Sequence, residues 1–324
     1  AFLRAAVHDP AVDIVAVNDL GDIENLAYLL RYDSVYREFS GQVSVENGHL
    51  VVGAKRIAFM QEKDPAALPW RALGVDVAIE STGVFDSFEK ASAHITAGAK
   101  RVVITAPVKD AAPNAATVLV GVNEEKLQTC TITSNASCTT NSASPLIAIL
   151  DEKIGIEKAL LNTVHAYTAT QSIVDSPVKG ADKRRGRAGA HNITPSSTGA
   201  AIAVTKAYEQ LEGKFDGVAM RVPVVAGSLV DITFIAKRET SAEEVNAILE
   251  KAAGEERWKG IFAATHELLV SSDIIGNPHA SVADLEMTRV VGGNLVKVMA
   301  WYDNEMGYAY TLLRHVKEAG KLIQ

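Results

Sequence analysis

The chain has 324 residues, about twice the usual domain length, so two domains with sizeable cores are expected. Its 32 Lys and Arg against 39 Asp and Glu leave a net charge of −7, which argues against a general nucleic-acid or anionic-membrane binder. Two cysteines are too few for a disulfide framework, and no apolar run reaches the roughly 18 residues of a membrane span, so a reducing, cytoplasmic setting is expected.

The opening AFLRAAVHDP reads as a helix, with Phe2, Leu3, Ala6 and Val7 on one face and Pro10 ending the turn after it. DIVAVND follows as a buried strand closing on Asp19. Helix, strand and acidic residue form the second half of a dinucleotide-binding βαβ unit, where the acid about 20 residues beyond a glycine-rich turn bonds the ribose hydroxyls. Counting back from Asp19 puts that turn before Ala1, so the first strand and its glycines are expected upstream of the given sequence. Asp19 also fits a plain solvated strand end.

Next come GVDVAIESTG as a strand, SFEKASAHITAGA as helix, and RVVITAPV, ATVLVGVN and TCTITS as further strands. Such alternation predicts an α/β, doubly wound parallel sheet that takes ligands at the carboxyl ends of its strands. The tripeptides Ser81-Thr82-Gly83 and Thr105-Ala106-Pro107 are therefore candidates for a cofactor edge, or ordinary strand-to-loop turns.

Past residue 150 the texture changes. ALLNTVHAYTAT, FDGVAMRVPVV, SLVDITFIAK, HELLVSSDII and LVKVMAWYDN read as strands of a mainly antiparallel sheet in an α+β second domain. TGAAIAVTKAYEQL and SAEEVNAILEKAA read as helices, the second opening on a capping box of Ser241 and Glu244. The tail GYAYTLLRHVKEAGKLI is an amphipathic helix expected to return to the first domain. Val174 to Pro195 is a long loop rich in Gly, Lys and Arg, and loops of that length usually carry function or are disordered.

The sharpest chemical signal is TITSNASCTTNSASPLIAILDEK. A strand ends near Ser134 and an apolar helical pattern follows, which places Cys138 at a helix N-terminus where amide groups and the helix dipole favour a thiolate. Its polar neighbours Asn135, Ser137, Thr139, Thr140 and Asn141 suit an inert core cysteine poorly. Cys130, on the same strand face as Ile132, reads as core. A thiolate nucleophile needs an imidazole, and His165 at the end of its strand is the candidate, with a structural histidine as the alternative. Helix and return strand would bring the two together. A basic concentration of Lys179, Lys183, Arg184, Arg185 and Arg187, with Arg221 further on, lies near hydroxyl-rich turns and suits a phosphate receptor. Aromatics do not interleave it, so single-stranded nucleic acid fits less well.

With SNASCTTN, the motifs AVNDL, YDSVY, ESTGVF, HAYTATQ, RRGRA, SSTGAA, RVPV and WYDNEMGY stand in one order along the whole chain. In these the sequence resembles the phosphorylating glyceraldehyde-3-phosphate dehydrogenase family. The resemblance implies a Rossmann-type domain of residues 1–137 and 304–324, lacking its first strand and Gly-rich loop here, and a catalytic domain of residues 138–303. It implies Cys138 as nucleophile and His165 as base, acting through a thiohemiacetal and an acyl thioester that inorganic phosphate releases. Thr168 and Arg221 would take the substrate's C3 phosphate; Ser137, Thr139, Thr198 and Gly199 the attacking phosphate; Arg185 lies close to both. NAD is the implied cofactor, met by Asn18 and Asp19 at the adenosine ribose, by Ser81, Thr82 and Thr105 along its edge, and by Asn304 at the nicotinamide. Asp19, Leu20 and Pro177 favour NAD over NADP, while Ser176 pulls weakly the other way, and Met306 stands where the family usually has Trp. No metal site is implied. A cytoplasmic homotetramer is, with the 174–195 loop near a neighbouring subunit's cofactor. The missing glycine-rich turn implies a longer protein, by on the order of a dozen residues. Erythrose-4-phosphate dehydrogenase shares the same thiol, histidine and fold, and a non-catalytic binding relative is the reading if the chain is complete as given.

Overall fold

A computed structural model describes residues 1–178 and 180–323, so Lys179 of the basic run lies outside the described residues. The chain divides into two compact units: Ala1–Ala116, Glu125–Asn135 and the C-terminal stretch from Leu312 form one, while Thr117–Glu124 and Ala136–Thr311 form the other.

In the first unit, strands Val77–Glu80, Arg101–Ile104 and Ile132–Ser134 run parallel in one sheet, which Ala115–Thr117 completes. Val102, Val103 and Ile104 are all buried, as expected of a parallel strand covered on both faces. The predicted helix after Val77–Glu80 forms as two short pieces, Phe88–Ala91 and Ala93–Ala97, joined at Ser92. A second sheet pairs Ala16–Asn18 in parallel with Lys55–Met60, then continues antiparallel through His49–Val52 to Val43–Glu46. Alternation alone did not predict this hairpin. Its signal is Asn47-Gly48, both at positive φ (49° and 72°), the turn that matches strand twist. ATVLVGVN is strand only as far as Thr117, and TCTITS only from Ile132, so Cys130 is buried just ahead of its strand. The C-terminal helix Met306–Lys321 contributes buried Leu312, Leu313 and Val316 to this unit; His315 meets Thr133 and Asn135, and Lys317 pairs with Asp9 at 2.8 Å.

The second unit is built on a seven-stranded sheet in the order Thr194–Ser197, Phe215–Val222, Ile156–Ala166, Ser228–Ala236, Leu295–Tyr302, Ser281–Val291, Phe262–Thr265. Most neighbours are antiparallel; Ile156–Ala166 with Phe215–Val222, and Phe262–Thr265 with Ser281–Val291, are parallel. Along Ser228–Ala236 burial alternates strictly, so one face of the sheet packs in a core shared with helices Cys138–Ile154, Ala200–Ala207 and Ala242–Ala253. Ser241 caps the last of these by accepting from the Glu244 amide, but the Glu244 carboxylate turns to Arg238 and Thr240, so the capping box closes on one side only.

HELLVSSDII is a turn segment, not a strand. Leu268 and Val270 are exposed and pair with no strand, while Asp273 bonds the Val270 amide and holds a local turn. The two strands at that end of the sheet, Phe262–Thr265 and Ser281–Val291, come instead from either side of it. Among the described residues no helix is long and apolar enough to cross a membrane.

Candidate active site

Helix Cys138–Ile154 begins at the cysteine. Ser137 has extended φ and ψ and its hydroxyl accepts from the Thr140 amide, an N-cap that leaves Cys138 in the first helical turn. One residue earlier, Ala136 is fully buried at φ +54°, a left-handed conformation costly for a residue with a Cβ. That sharp turn lets strand Ile132–Ser134 end and the helix start within a few residues.

From the far end of the helix, strand Ile156–Ala166 returns and carries His165 to the thiol. Cys138 Sγ lies 3.4 Å from His165 Nε2. The parallel register sets His165 beside Arg221 of the next strand, and Arg221 Nη1 lies 2.8 Å from His165 Nδ1. Nδ1 also lies 2.7 Å from the carbonyl oxygen of Ala166. These two neighbours ask for opposite tautomers. With its hydrogen on Nδ1 the ring donates to the carbonyl and turns the Nε2 lone pair to the thiol, the form of a base. With the hydrogen on Nε2, Nδ1 accepts from Arg221. An imidazolium can keep only the carbonyl.

Electrostatics follow the same geometry. Burial, then the Arg221 charge, holds the His165 pKa down to about 4, so the ring is neutral at neutral pH and free to accept a proton. Burial pushes the Cys138 thiol up, against the opposing pull of Arg221 and the Thr139 amide. The resting pair is thus a thiol facing a neutral imidazole. Tyr302 stands edge-on to His165, ring centres 5.9 Å apart, and its hydroxyl bridges Thr139 (2.9 Å) and Thr163 (2.8 Å). Neither Tyr302 nor the Ala166 carbonyl was picked out from the sequence. The signal for Tyr302 is a hydroxyl-bearing ring on the buried face of an alternating strand.

The predicted anion residues are only partly assembled. Thr139 is buried with its hydroxyl on Tyr302, and the Ser137 hydroxyl is engaged as the cap. Thr198 and Gly199 open helix Ala200–Ala207, where Thr198 Oγ1 accepts from the Ala200 amide. Thr168 meets Thr170 at 3.0 Å, and Thr170 in turn accepts from Arg185 at 3.3 Å. The basic run is less free than its charge suggested. Arg184 and Arg185 share Asp182, and Arg187 pairs with Asp175 at 2.6 Å, because the loop supplies its own carboxylates. Arg221 is different: among the described residues no carboxylate pairs with it, while the Arg185 charge acts on it.

Of the cofactor candidates in the first unit, Asn18 has both ends of its carboxamide on the main chain of Glu62, and Asp19 is exposed with Oδ1 on the Gly21 amide. Ser81 and Thr82 occupy the exposed turn after Val77–Glu80, where a Cβ at Gly83 (φ +70°) would meet open space. The Thr105 amide donates to the Glu80 carbonyl at 2.9 Å. In the second unit the Asn304 carboxamide oxygen accepts from the Gly227 amide and the Ser228 hydroxyl, both at 3.1 Å, which leaves the amide nitrogen as its donor.

The first unit is a parallel α/β unit of the kind that takes dinucleotides, and the second sets a thiol, an imidazole and an arginine side by side, a combination suited to an oxidoreductase. Residues 137–304 match the family model for the glyceraldehyde 3-phosphate dehydrogenase C-terminal domain, and residues 1–88 match that family's NAD binding domain. Curated relatives include glyceraldehyde-3-phosphate dehydrogenase of Streptomyces coelicolor, 46% identical across 96% of this chain and 92% of its own length. Glyceraldehyde-3-phosphate dehydrogenase 1 of Bacillus subtilis is 47% identical (94% of this chain, 90% of its own length). Glyceraldehyde-3-phosphate dehydrogenase of Thermotoga maritima is 49% identical (93% of this chain, 89% of its own length). The chain belongs to the glyceraldehyde-3-phosphate dehydrogenase family and is an NAD-dependent oxidoreductase.

Proposed function

We propose that the protein oxidises glyceraldehyde 3-phosphate with NAD and inorganic phosphate to 1,3-bisphosphoglycerate, through covalent intermediates on Cys138. The observation that carries this reading is the line Cys138–His165–Arg221, with 3.4 Å and 2.8 Å between successive groups. Cys138 attacks the aldehyde carbon once its proton passes to His165 Nε2, and the ring hands that proton to the former carbonyl oxygen, giving a thiohemiacetal and a neutral imidazole again. His165 then holds the hydroxyl proton as that adduct becomes a thioester, with Nδ1–H on the Ala166 carbonyl. NAD, when bound, supplies the acceptor for the two electrons lost. Inorganic phosphate attacks the thioester carbonyl, the C–S bond breaks, and Cys138 is regenerated.

Arg221 and Thr168 receive the C3 phosphate in this reading. An anion on Arg221 offsets the charge that depresses His165, so substrate binding raises the basicity of the group that must take the proton. Ser137, Thr139, Thr198 and Gly199, with Arg185, take the attacking phosphate. Asn18, Asp19, Ser81, Thr82, Thr105 and Asn304 hold NAD; the exposed Asp19 carboxylate would repel the 2′-phosphate of NADP. We assign the NAD domain to residues 1–137 and 304–324 and the catalytic domain to 138–303, in a cytoplasmic homotetramer serving glycolysis.

The test is steady-state kinetics with both aldehydes and both nucleotides. Higher kcat/KM for glyceraldehyde 3-phosphate with NAD supports the proposal. Higher kcat/KM for erythrose 4-phosphate, or for NADP, overturns the substrate or cofactor assignment.

A further inference from the structure

At the carboxyl end of strand Val77–Glu80 lies a buried carboxylate that the chemistry above does not use. Glu80 is 3% exposed. One of its oxygens accepts from the Thr82 amide at 2.7 Å and from the Thr82 hydroxyl at 2.5 Å; the other faces His94 Nε2 at 3.0 Å. His94, also buried, receives the indole N–H of Trp70 on Nδ1 at 3.0 Å. An indole can only donate, so Nδ1 must accept and the ring hydrogen must sit on Nε2, aimed at Glu80. Burial pushes the Glu80 carboxyl's pKa up, yet the bonds from His94 and Thr82 outweigh it and hold the group below its usual range, as a carboxylate. The Thr82 hydroxyl, donating to Glu80, accepts in turn from the Val84 amide at 3.1 Å. The line from Trp70 through His94 and Glu80 thus ends in the exposed turn Thr82–Gly83–Val84.

We propose that His94 and Glu80 are positioning residues that shape this turn for the cofactor, a role that rests on the assignment of Ser81 and Thr82 to the NAD edge. Thr82 spends its hydroxyl inward, so the turn meets the dinucleotide through its backbone, whose path the buried carboxylate sets. Loss of the His94 donor leaves a buried charge short of a partner, and the turn relaxes toward water.

The test measures NAD affinity by calorimetry and amide exchange at Thr82–Val84 in the whole chain. His94→Leu, which keeps volume and removes both ring nitrogens, is expected to weaken NAD about tenfold, the worth of one buried hydrogen bond. It should speed exchange at Thr82 and Val84 and raise KM for NAD while leaving kcat at saturating NAD within about twofold. His94→Gln keeps a donor for Glu80 and should stay within about twofold of the parent affinity. Trp70→Phe loses core stability but keeps the His94–Glu80 bond, so it too should bind NAD normally. If His94→Leu does not fold, Thr82→Val cuts the line at its exposed end and carries the same expectation of weaker binding. Parent-like affinity and exchange in His94→Leu would overturn the proposal, as would a Trp70→Phe defect as large as that of His94→Leu. Faster exchange with unchanged NAD affinity would overturn the cofactor assignment of this turn instead.

Discussion

At Cys138 three influences meet on one sulfur: burial raises its pKa, the Arg221 charge lowers it, and His165 offers a neutral nitrogen 3.4 Å away. Cys138→Ser keeps the cap and the helix but replaces a thiol with a far weaker acid, so turnover should fall by at least about a thousandfold while thermal stability stays within a few degrees. Activity assay and melting curve together check this. Tyr302→Phe removes the hydroxyl shared by Thr139 and Thr163, leaving buried hydroxyls short of a partner, and should cost about 1–2 kcal/mol in denaturant unfolding. Cys138 and His165 were legible in the sequence because a hydroxyl-rich strand-to-helix junction and a strand-end histidine are local patterns. Arg221 was legible as a charge, but its place beside His165 comes from a parallel register between strands some fifty residues apart. The loop's internal pairing of Arg187 with Asp175 was not legible, since only the folded loop shows which charges neutralise each other.

At the scale of elements, the site depends on where one helix starts. Ser137 caps Cys138–Ile154, and Ser137→Ala should cost about 1 kcal/mol, lowering Tm by about 1–2 °C in a chain of this size. Its effect on reaction of Cys138 with a neutral alkylating reagent should be a slower rate, because the first turn frays and the sulfur loses its fixed distance to His165. Strands announced by an unbroken apolar run, as in Arg101–Ile104, or by alternating burial, as in Ser228–Ala236, were predictable. HELLVSSDII shows the limit of that signal: an apolar run becomes a strand only when a neighbour offers a ladder, and here Asp273 closes a turn first. The 43–52 hairpin had the reverse problem. Its strands are short and half polar, and the informative feature was Asn47-Gly48 rather than any hydrophobic period.

For the whole molecule, buried histidines set the response to acid. His165 and His315 are each held down to about 4 from an ordinary value of 6.5, both chiefly by burial. The unfolded chain therefore takes up these protons near pH 6.5 and the native chain only near pH 4, so stability should fall as pH drops through that window, by roughly 3 kcal/mol for each group. His315→Gln, which keeps polar partners for Thr133 and Asn135, should remove about half of this contribution, read as a shallower dependence of Tm on pH between 6.5 and 4. The exposed His266, bonded to Glu250 and Glu286, has a raised pKa and acts with opposite sign: its small stabilisation is present below pH 6.5 and is lost as pH rises through the raised value.

In the proposed chemistry, oxidation and phosphate transfer are separate steps joined by an acyl group on Cys138. Rapid mixing of the protein and NAD with glyceraldehyde 3-phosphate, with inorganic phosphate left out, tests it most directly. The expected result is a burst of NADH near one equivalent per Cys138, an acyl adduct on that residue by mass spectrometry, and steady turnover only once phosphate is added. Full turnover without phosphate, or a burst that persists in Cys138→Ser, would contradict it.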